Sequence, residues 1–374
     1  MREPILYAAA AERGLEFAAQ WTCHRPVMCC VLAHTDTCLI PGVSAAGVSE
    51  ELRPLTPAAD AEVVLSGVPR CLPALPSNPL GAPGPAGITR AAAQLGGFAV
   101  EFVGVGLRVW PDVACRRLDE QPGGNIERGF AVPHASQLLR AGKALGRELA
   151  KGSDCVVLGE SVPGGTTTAL AVLLALGYTA EGRVSGSQPG NAHMLKSRIA
   201  QSALAASALE PGDGRHDPIA AVAQLGDPMQ PVIVGAVLGA VDSGAAVLLA
   251  GGSQMLAVSA LIRALAGEHV LERTAIGTTR WIVADPAADV VGLAHEISPR
   301  LPILAANLDF SASRHTALRA YEQHMVKEGV GAGGACVAAL LRTGRPIQDV
   351  EAAIDDAYDD LLGVRSGEWG VRDG

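Results

Sequence analysis

The chain has 374 residues, 49% of them hydrophobic and only 3% aromatic, with a formal net charge of −9 at pH 7. That length allows one large α/β domain with an appendage or two domains, and its Ala, Gly, Val and Leu suit a core of buried parallel strands covered by helices. The acidic balance excludes a general nucleic-acid or anionic-membrane binder, but leaves room for a local basic pocket that holds one phosphate.

Met1-Arg2-Glu3-Pro4 and the alanine-rich pattern behind it lack the regions of a signal peptide, and no apolar run is long enough to span a bilayer. The expectation is a cytoplasmic protein. The eight cysteines are scattered without a CxxC pair, as buried thiols in a reducing compartment are. Cys23 and His24 stand near Cys29 and Cys30, but adjacent strand residues point to opposite faces, so no metal site is expected there.

In chain order, the first 25 residues predict a helix and Val27–Ala33 a buried strand ending at His34-Thr35-Asp36-Thr37. Residues 72–87 carry too much Pro and Gly for regular structure and read either as a loop over a binding site or as a solvated linker. A short helix over Gly87–Leu95 and a strand over Phe98–Val103 follow. Beyond them the rhythm becomes regular, with helices at His134–Lys151, Thr166–Leu176, His193–Leu209, Pro228–Val241 and Gln254–Ala266. Strands are expected at Asp154–Leu158, Ala245–Leu249, Trp281–Ala284 and Ile303–Ala306, and an acidic amphipathic helix at Pro346–Leu362. Alternating strands and helices predict a parallel sheet with right-handed crossovers, whose ligand sits at the carboxyl ends of the strands, where the glycine loops after Leu158 and Leu249 meet.

The most informative ten residues are Gly159-Glu160-Ser161-Val162-Pro163-Gly164-Gly165-Thr166-Thr167-Thr168, between a strand and a helix. Glycines let backbone close on an anion, and unpaired N–H groups at a helix start face it. A P-loop would need Lys where Gly165 stands, so a monophosphate held by the backbone at Gly164 and Gly165 and by the hydroxyls of Thr166 and Thr167 fits better than a triphosphate. The plain alternative is a tight turn with Thr166 as its helix cap.

A second segment, Glu328-Gly329-Val330-Gly331-Ala332-Gly333-Gly334-Ala335, precedes the apolar helix Cys336–Leu341. Glu328 ahead of side-chain-free backbone suits a general base beside a flat ligand, or equally an acid at a helix end before a glycine cap. Among the nine histidines, His34 and His315 are expected to face the site, and His216, His269 and His324 the solvent. No HExxH pair occurs, and Gly159-Glu160-Ser161-Val162-Pro163 lacks the closing glycine of a hydrolase nucleophile elbow.

Taken together, the order GESVPGGTTTA, Lys196 in Leu195-Lys196-Ser197, GAVLGA and EGVGAGGA resembles the nicotinate-nucleotide:dimethylbenzimidazole phosphoribosyltransferases, and more closely their archaeal and cyanobacterial branch. Residues 160–167 align without a gap to the end of that family's GEMGIGNTT loop, and Glu328–Ala332 to its catalytic EGTGA motif. The resemblance runs from about Phe98 to Leu341. It implies a Rossmann-like α/β domain over 26–325 and a smaller helical domain from 1–25 with 326–374, in a homodimer whose active site borders the partner. It implies transfer of 5-phosphoribosyl from nicotinate mononucleotide to a benzimidazole nitrogen, with no cofactor. Glu328 would be the base, Gly329 and Gly331 would let a planar ring lie against backbone, Glu160 and Lys196 would sit near ribose and phosphate, and Asn125 would be a ligand-side asparagine. The family's loop asparagine is Gly165 here, which removes a donor. A non-catalytic nucleotide sensor and a phosphoribosyltransferase for another acceptor base are the competing readings.

Overall fold

The computed structural model describes residues 2–21, 26–47, 49–78 and 80–361. Cys23 and His24, Leu362 and the last twelve residues lie outside them. Among the described residues eight strands form one sheet: β1 (Ile5–Ala9), β2 (Val27–Ala33), β3 (Ala99–Val105), β4 (Arg116–Asp119), β5 (Cys155–Ser161), β6 (Ala246–Ala250), β7 (Thr274–Thr279) and β8 (Ile303–Ala306). Their spatial order is β1-β8-β7-β6-β5-β2-β3-β4. All pairs are parallel except β1 with β8. This is the mostly parallel, helix-flanked α/β sheet expected from the sequence.

Period-two burial divides the core. Cys29, Val31, Val156, Leu158, Val247 and Leu249 face one side, and Met28, Val157, Leu248 and Ala250 the other. The helices are, in chain order, α1 (Ala11–Gln20), α2 (Thr56–Ser66), α3 (Ala86–Gly96), α4 (Ala135–Gly152), α5 (Gly165–Ala175), α6 (His193–Ala206), α7 (Pro218–Leu225), α8 (Met229–Asp242), α9 (Ser253–Ala266), the short α10 (Glu268–Leu271) and α11 (Arg280–Val283), α12 (Val290–Ile297), α13 (Ala332–Thr343) and α14 (Ile347–Leu361). Helices α4, α5, α7, α8, α9 and α12 bury their apolar residues on the first side, and α3, α13 and α14 on the second. Helix α13 lies against the central strands and α14 against α3.

Two expectations fail. The N-terminal segment is not all helix: Ile5–Ala9 pairs with β8 and blunts that sheet edge, and Ala10, in the left-handed region at φ 42°, turns the chain into α1. The expected strand at Trp281–Ala284 is the short helix α11, and the strand lies just before it at Thr274–Thr279. Threonines with one isoleucine look polar on paper, yet their β-branched side chains fill a fully buried central strand. Trp281 instead packs in an aromatic cluster, 5.0 Å from both Phe310 and Tyr321.

After β2 the chain builds outward to β3 and β4; after β5 it builds the other way to β6, β7 and β8. The strand order therefore reverses between β2 and β5. Open α/β sheets place their ligands in the crevice beyond such a reversal.

Candidate active site

A cleft of about 1080 Å³, counted out to its open mouth, lies beyond the carboxyl end of β5. Its walls come from the loop after β2 (Val43–Gly47), α2 (Thr56 and Asp60), the Pro/Gly loop (Pro76, Ser77, Asn78, Gly84, Pro85), Glu160–Thr166, Ser185–Gln188, Lys196, Gly252–Gln254, Ile282, Val326 and Glu328–Val330. The glycine loops after β5 and β6 meet there, as the strand pattern predicts. The Pro/Gly loop is a built wall. Asn78 donates from Nδ2 to the Met325 carbonyl at 3.0 Å, and the hydroxyls of Tyr321 and Tyr358 donate to the carbonyls of Pro83 and Gly84 at 3.0 and 2.8 Å.

Strand β5 runs three residues further than predicted, so Glu160 and Ser161 sit on its end and the turn is confined to Val162–Gly164. Gly164 caps α5 at φ 82°, and a Cβ there would lie 3.0 Å from Cys38 Cα. Only glycine adopts this conformation without strain. Gly165 faces a different neighbour: a Cβ on it would stand 2.3 Å from Gln254 Nε2. The amide of Gln254 thus occupies the space into which a side chain at 165 would project, and it too lines the cleft. Gln254 donates to Asp227 Oδ2 at 2.6 Å, its oxygen accepts from Gln230 Nε2 at 3.0 Å, and Asp227 also accepts from Thr168 Oγ1 at 2.5 Å.

One corner of the cleft suits an anion. A Cβ on Gly186 would lie 2.9 Å from Lys196 Nζ and 3.2 Å from Thr166 Oγ1, so ammonium and hydroxyl converge on side-chain-free backbone. Lys196 is 2% exposed and donates to the Asn191 carbonyl at 2.6 Å. Burial, and then the nearby Lys327 cation, pull its pKa down to about 8. Lys327 is itself buried and satisfied by Gly186 O, Asn191 Oδ1 and Asp285 Oδ2 at 2.9, 2.8 and 2.7 Å. Burial opposes ionisation of Asp285, but hydrogen bonds from Lys327, Ser185 and Asn191 prevail and hold it down at about 2. This clamp fixes the 185–191 loop, whose Asn191 keeps a left-handed φ of 56°.

Another part of the cleft gathers acids. Glu328 accepts from the backbone N–H groups of Gly329 and Gly333, both at 3.1 Å, and from Thr278 Oγ1 at 3.3 Å. Gly333 lies in the first turn of α13, so Glu328 is both a helix-end acid and a cleft residue. Burial pushes its pKa up to about 7 against those hydrogen bonds. Burial, then the carboxylates of Asp227 and Glu328, push Glu160 up to about 8. Burial likewise lifts Asp60 to about 7 against a hydrogen bond from Ser161. Carboxyls tuned to this range can take and return protons near neutral pH.

Of the residues singled out in the sequence, Glu160, Gly164, Gly165, Thr166, Lys196, Glu328 and Gly329 share the cleft wall. Three do not. Thr167 is fully buried behind the wall, because the third residue of α5 turns inward here. Gly331 serves packing: a Cβ on it would meet Met28 Cε at 2.8 Å and Ala250 Cβ at 3.0 Å, so its absence lets α13 close on the sheet. Asn125 caps the turn Ile126–Arg128 by accepting from Glu127 N at 2.9 Å, away from the cleft. Neither His34 nor His315 lines the cleft. His34 Nε2 accepts from Arg108 Nε at 2.9 Å, and His315 packs beside Asp359. Asp60, Gln254 and Lys327 carry little sequence signal, because each lies in an ordinary helical or charged stretch. Lys327 alone had a signal, its place directly before Glu328.

Comparison with known proteins gives the chain its family. A family model described as a phosphoribosyltransferase matches residues 50–273. A UPF0284 protein of Methanothermobacter thermautotrophicus is 41% identical over 89% of this chain and 92% of its own length, and one of Gloeobacter violaceus is 44% identical over 95% and 93%. The crystal structure of nicotinate-nucleotide-dimethylbenzimidazole phosphoribosyltransferase from Thermus thermophilus shares the fold, with a TM-score of 0.60 at 19% identity over 96% of this chain and 94% of that one. The chain belongs to the nicotinate-nucleotide:dimethylbenzimidazole phosphoribosyltransferase family of enzymes, in a branch with the archaeal and cyanobacterial UPF0284 proteins.

Proposed function

We propose that the protein transfers the 5-phosphoribosyl group of nicotinate mononucleotide to a ring nitrogen of 5,6-dimethylbenzimidazole or a related aromatic base. The observation that carries this reading is one cleft holding both an anion corner, Lys196 with Thr166 and Gly186, and a carboxyl raised to about 7, Glu328. The phosphate would sit at the anion corner and against the backbone of Gly164 and Gly165. The acceptor's lone pair forms the new bond to C1′ from the face opposite nicotinate, whose C–N bond breaks and whose pyridinium nitrogen keeps the electron pair. Nicotinate needs no acid to leave; the acceptor must lose its N–H proton, and Glu328 takes it. Gly329, which lines the cleft, would let the flat base lie against backbone. Glu160, largely neutral below its pKa of about 8, would donate to a ribose hydroxyl. A homodimer would complete the assembly. The test is incubation with nicotinate mononucleotide and a panel of aromatic bases, reading nicotinate release and formation of the α-linked ribotide. Transfer to any base supports the reading. Thermal stabilisation by the nucleotide without release to any base would overturn it in favour of a sensor.

A further inference from the structure

The transfer as proposed makes no use of Asp60. This residue of α2 is 4% exposed, yet it lines the cleft. Its Oδ2 accepts from Ser161 Oγ at 2.7 Å, and its Oδ1 has no partner among the described residues. A buried carboxyl with a single hydrogen bond costs stability, and leucine or asparagine would fill the same volume at lower cost. Burial does lift its pKa to about 7, which lowers that cost without removing it. Packing therefore gives no account of an acid here.

Its position does. Oδ1 stands 3.9 Å from the point a Cβ on Gly84 would occupy, and the next residue, Pro85, reaches 2.9 Å from the corresponding point on Gly329. Gly329 follows Glu328, so Asp60 borders the stretch of wall on which the acceptor ring would lie. Lys196 and Thr166 instead converge on Gly186. The wall is fixed on Asp60's side as well, since the Tyr358 and Tyr321 hydroxyls hold the Gly84 and Pro83 carbonyls. No aromatic side chain lines the cleft among the described residues. A base held there is gripped by small aliphatic side chains and backbone on its faces, and what distinguishes one base from another is its polar edge.

We propose that Asp60 is a specificity-determining residue: its free carboxyl oxygen accepts a hydrogen bond from a donor on the acceptor base, at the edge remote from the nitrogen that attacks C1′. The site then selects aromatic bases with an N–H or amino group on that edge over bases whose edge carries only methyl groups. Ser161 holds the carboxyl in place. The inference rests on the phosphoribosyl-transfer reading and narrows its acceptor class.

The experiment compares kcat/KM for 5-aminobenzimidazole and 5,6-dimethylbenzimidazole, with nicotinate mononucleotide as donor, in the wild type, Asp60→Asn and Asp60→Leu. A polar site rejects a partner lacking its hydrogen-bonding group far more strongly than an apolar pocket rejects a misfit. The wild type should therefore favour the amino base by about tenfold or more. Asp60→Leu should erase or reverse that preference, with Asp60→Asn between. The thermal midpoints of both variants without substrate should equal or exceed the wild type's. An unchanged preference in all three proteins overturns the inference and leaves the transfer reading standing. So does loss of stability in both variants with equal loss of activity on both bases, which is a structural role. Absence of nicotinate release with either base, in every protein, overturns this inference, and absence with every base of the panel overturns the transfer reading as well.

Discussion

At the Gly186 corner of the cleft, charge is supplied and held: Lys196 and Thr166 converge on bare backbone, and Lys327 and Asp285 lock the loop beside them. Along the Glu328 wall, charge is withheld, because burial keeps Glu328, Glu160 and Asp60 from ionising until near neutral pH or above. The first arrangement binds something already anionic. The second handles protons. A ribose phosphate carrying an aromatic leaving group needs both in one cavity, and the contrast tells which substitutions should act on affinity and which on turnover.

The largest effect is expected at Glu328. Glu328→Gln keeps the shape and the hydrogen bonds from Gly329 and Gly333 but removes basicity, so turnover should fall by about 10² to 10⁴ while nucleotide affinity barely moves. A general base works deprotonated, so the wild-type rate should rise with pH through about 7, where burial places this carboxyl. Steady-state kinetics from roughly pH 5.5 to about 9, a range that brackets that limb, read both. Normal turnover by the variant would break the division of labour between the two regions.

Gly164→Val should act on the other region. A side chain there meets Cys38 at about 3.0 Å in a left-handed backbone, so the turn must shift and the α5 start with it. Nucleotide affinity should weaken by at least about tenfold, or roughly 1.4 kcal/mol. Calorimetric titration of the folded variant measures it, and an unchanged affinity would place the phosphate elsewhere.

Much of this contrast was legible in the sequence, and the illegible part has a physical pattern. Gly164 and Glu328 announce themselves because a glycine turn between strand and helix, and a carboxylate before glycines, are local features. Residues that act across the fold are silent: Asp60 reaches the cleft from α2, and Gln254 fills the space beside Gly165 from α9. The strand at Thr274–Thr279 hid because its threonines are polar by type though buried by place. Asn125 misled for the opposite reason, since an asparagine beside glycines fits a turn cap as well as a ligand contact, and the structure gives the cap.

Lys196→Met should have a smaller effect than Gly164→Val, about three- to tenfold on nucleotide affinity, because backbone amides and Thr166 remain. Its signature is pH. The wild-type ammonium, pulled down to about 8 by burial and Lys327, loses its proton as pH rises above that value, while a phosphate monoester stays a dianion. Wild-type affinity should therefore decline between roughly pH 7.5 and about 9.5, across that midpoint, and the variant's should stay flat. Fluorescence titration across this range separates a phosphate-binding lysine from one that only supports the loop.

The smallest effect falls on stability and comes from Glu160. Its carboxyl has a folded pKa of about 8 against an ordinary 4.5, raised by burial and by Asp227 and Glu328. The folded state thus binds a proton that the unfolded state has released, so this group's contribution is fully present below the ordinary value and is lost as pH rises through about 8. Glu328 and Asp60, both lifted to about 7, act in the same direction. Thermal midpoints should accordingly decline from slightly acid to alkaline pH, and Glu160→Gln, which carries no charge to bury, should lose part of that decline and melt a few degrees higher at the alkaline end. Nucleotide should narrow the difference if Glu160 donates to the ribose, since the bound hydroxyl favours the protonated carboxyl. Parallel melting curves for variant and wild type at every pH would mean that Glu160 is ionised in the fold, and that the Glu328 wall does not withhold charge as described.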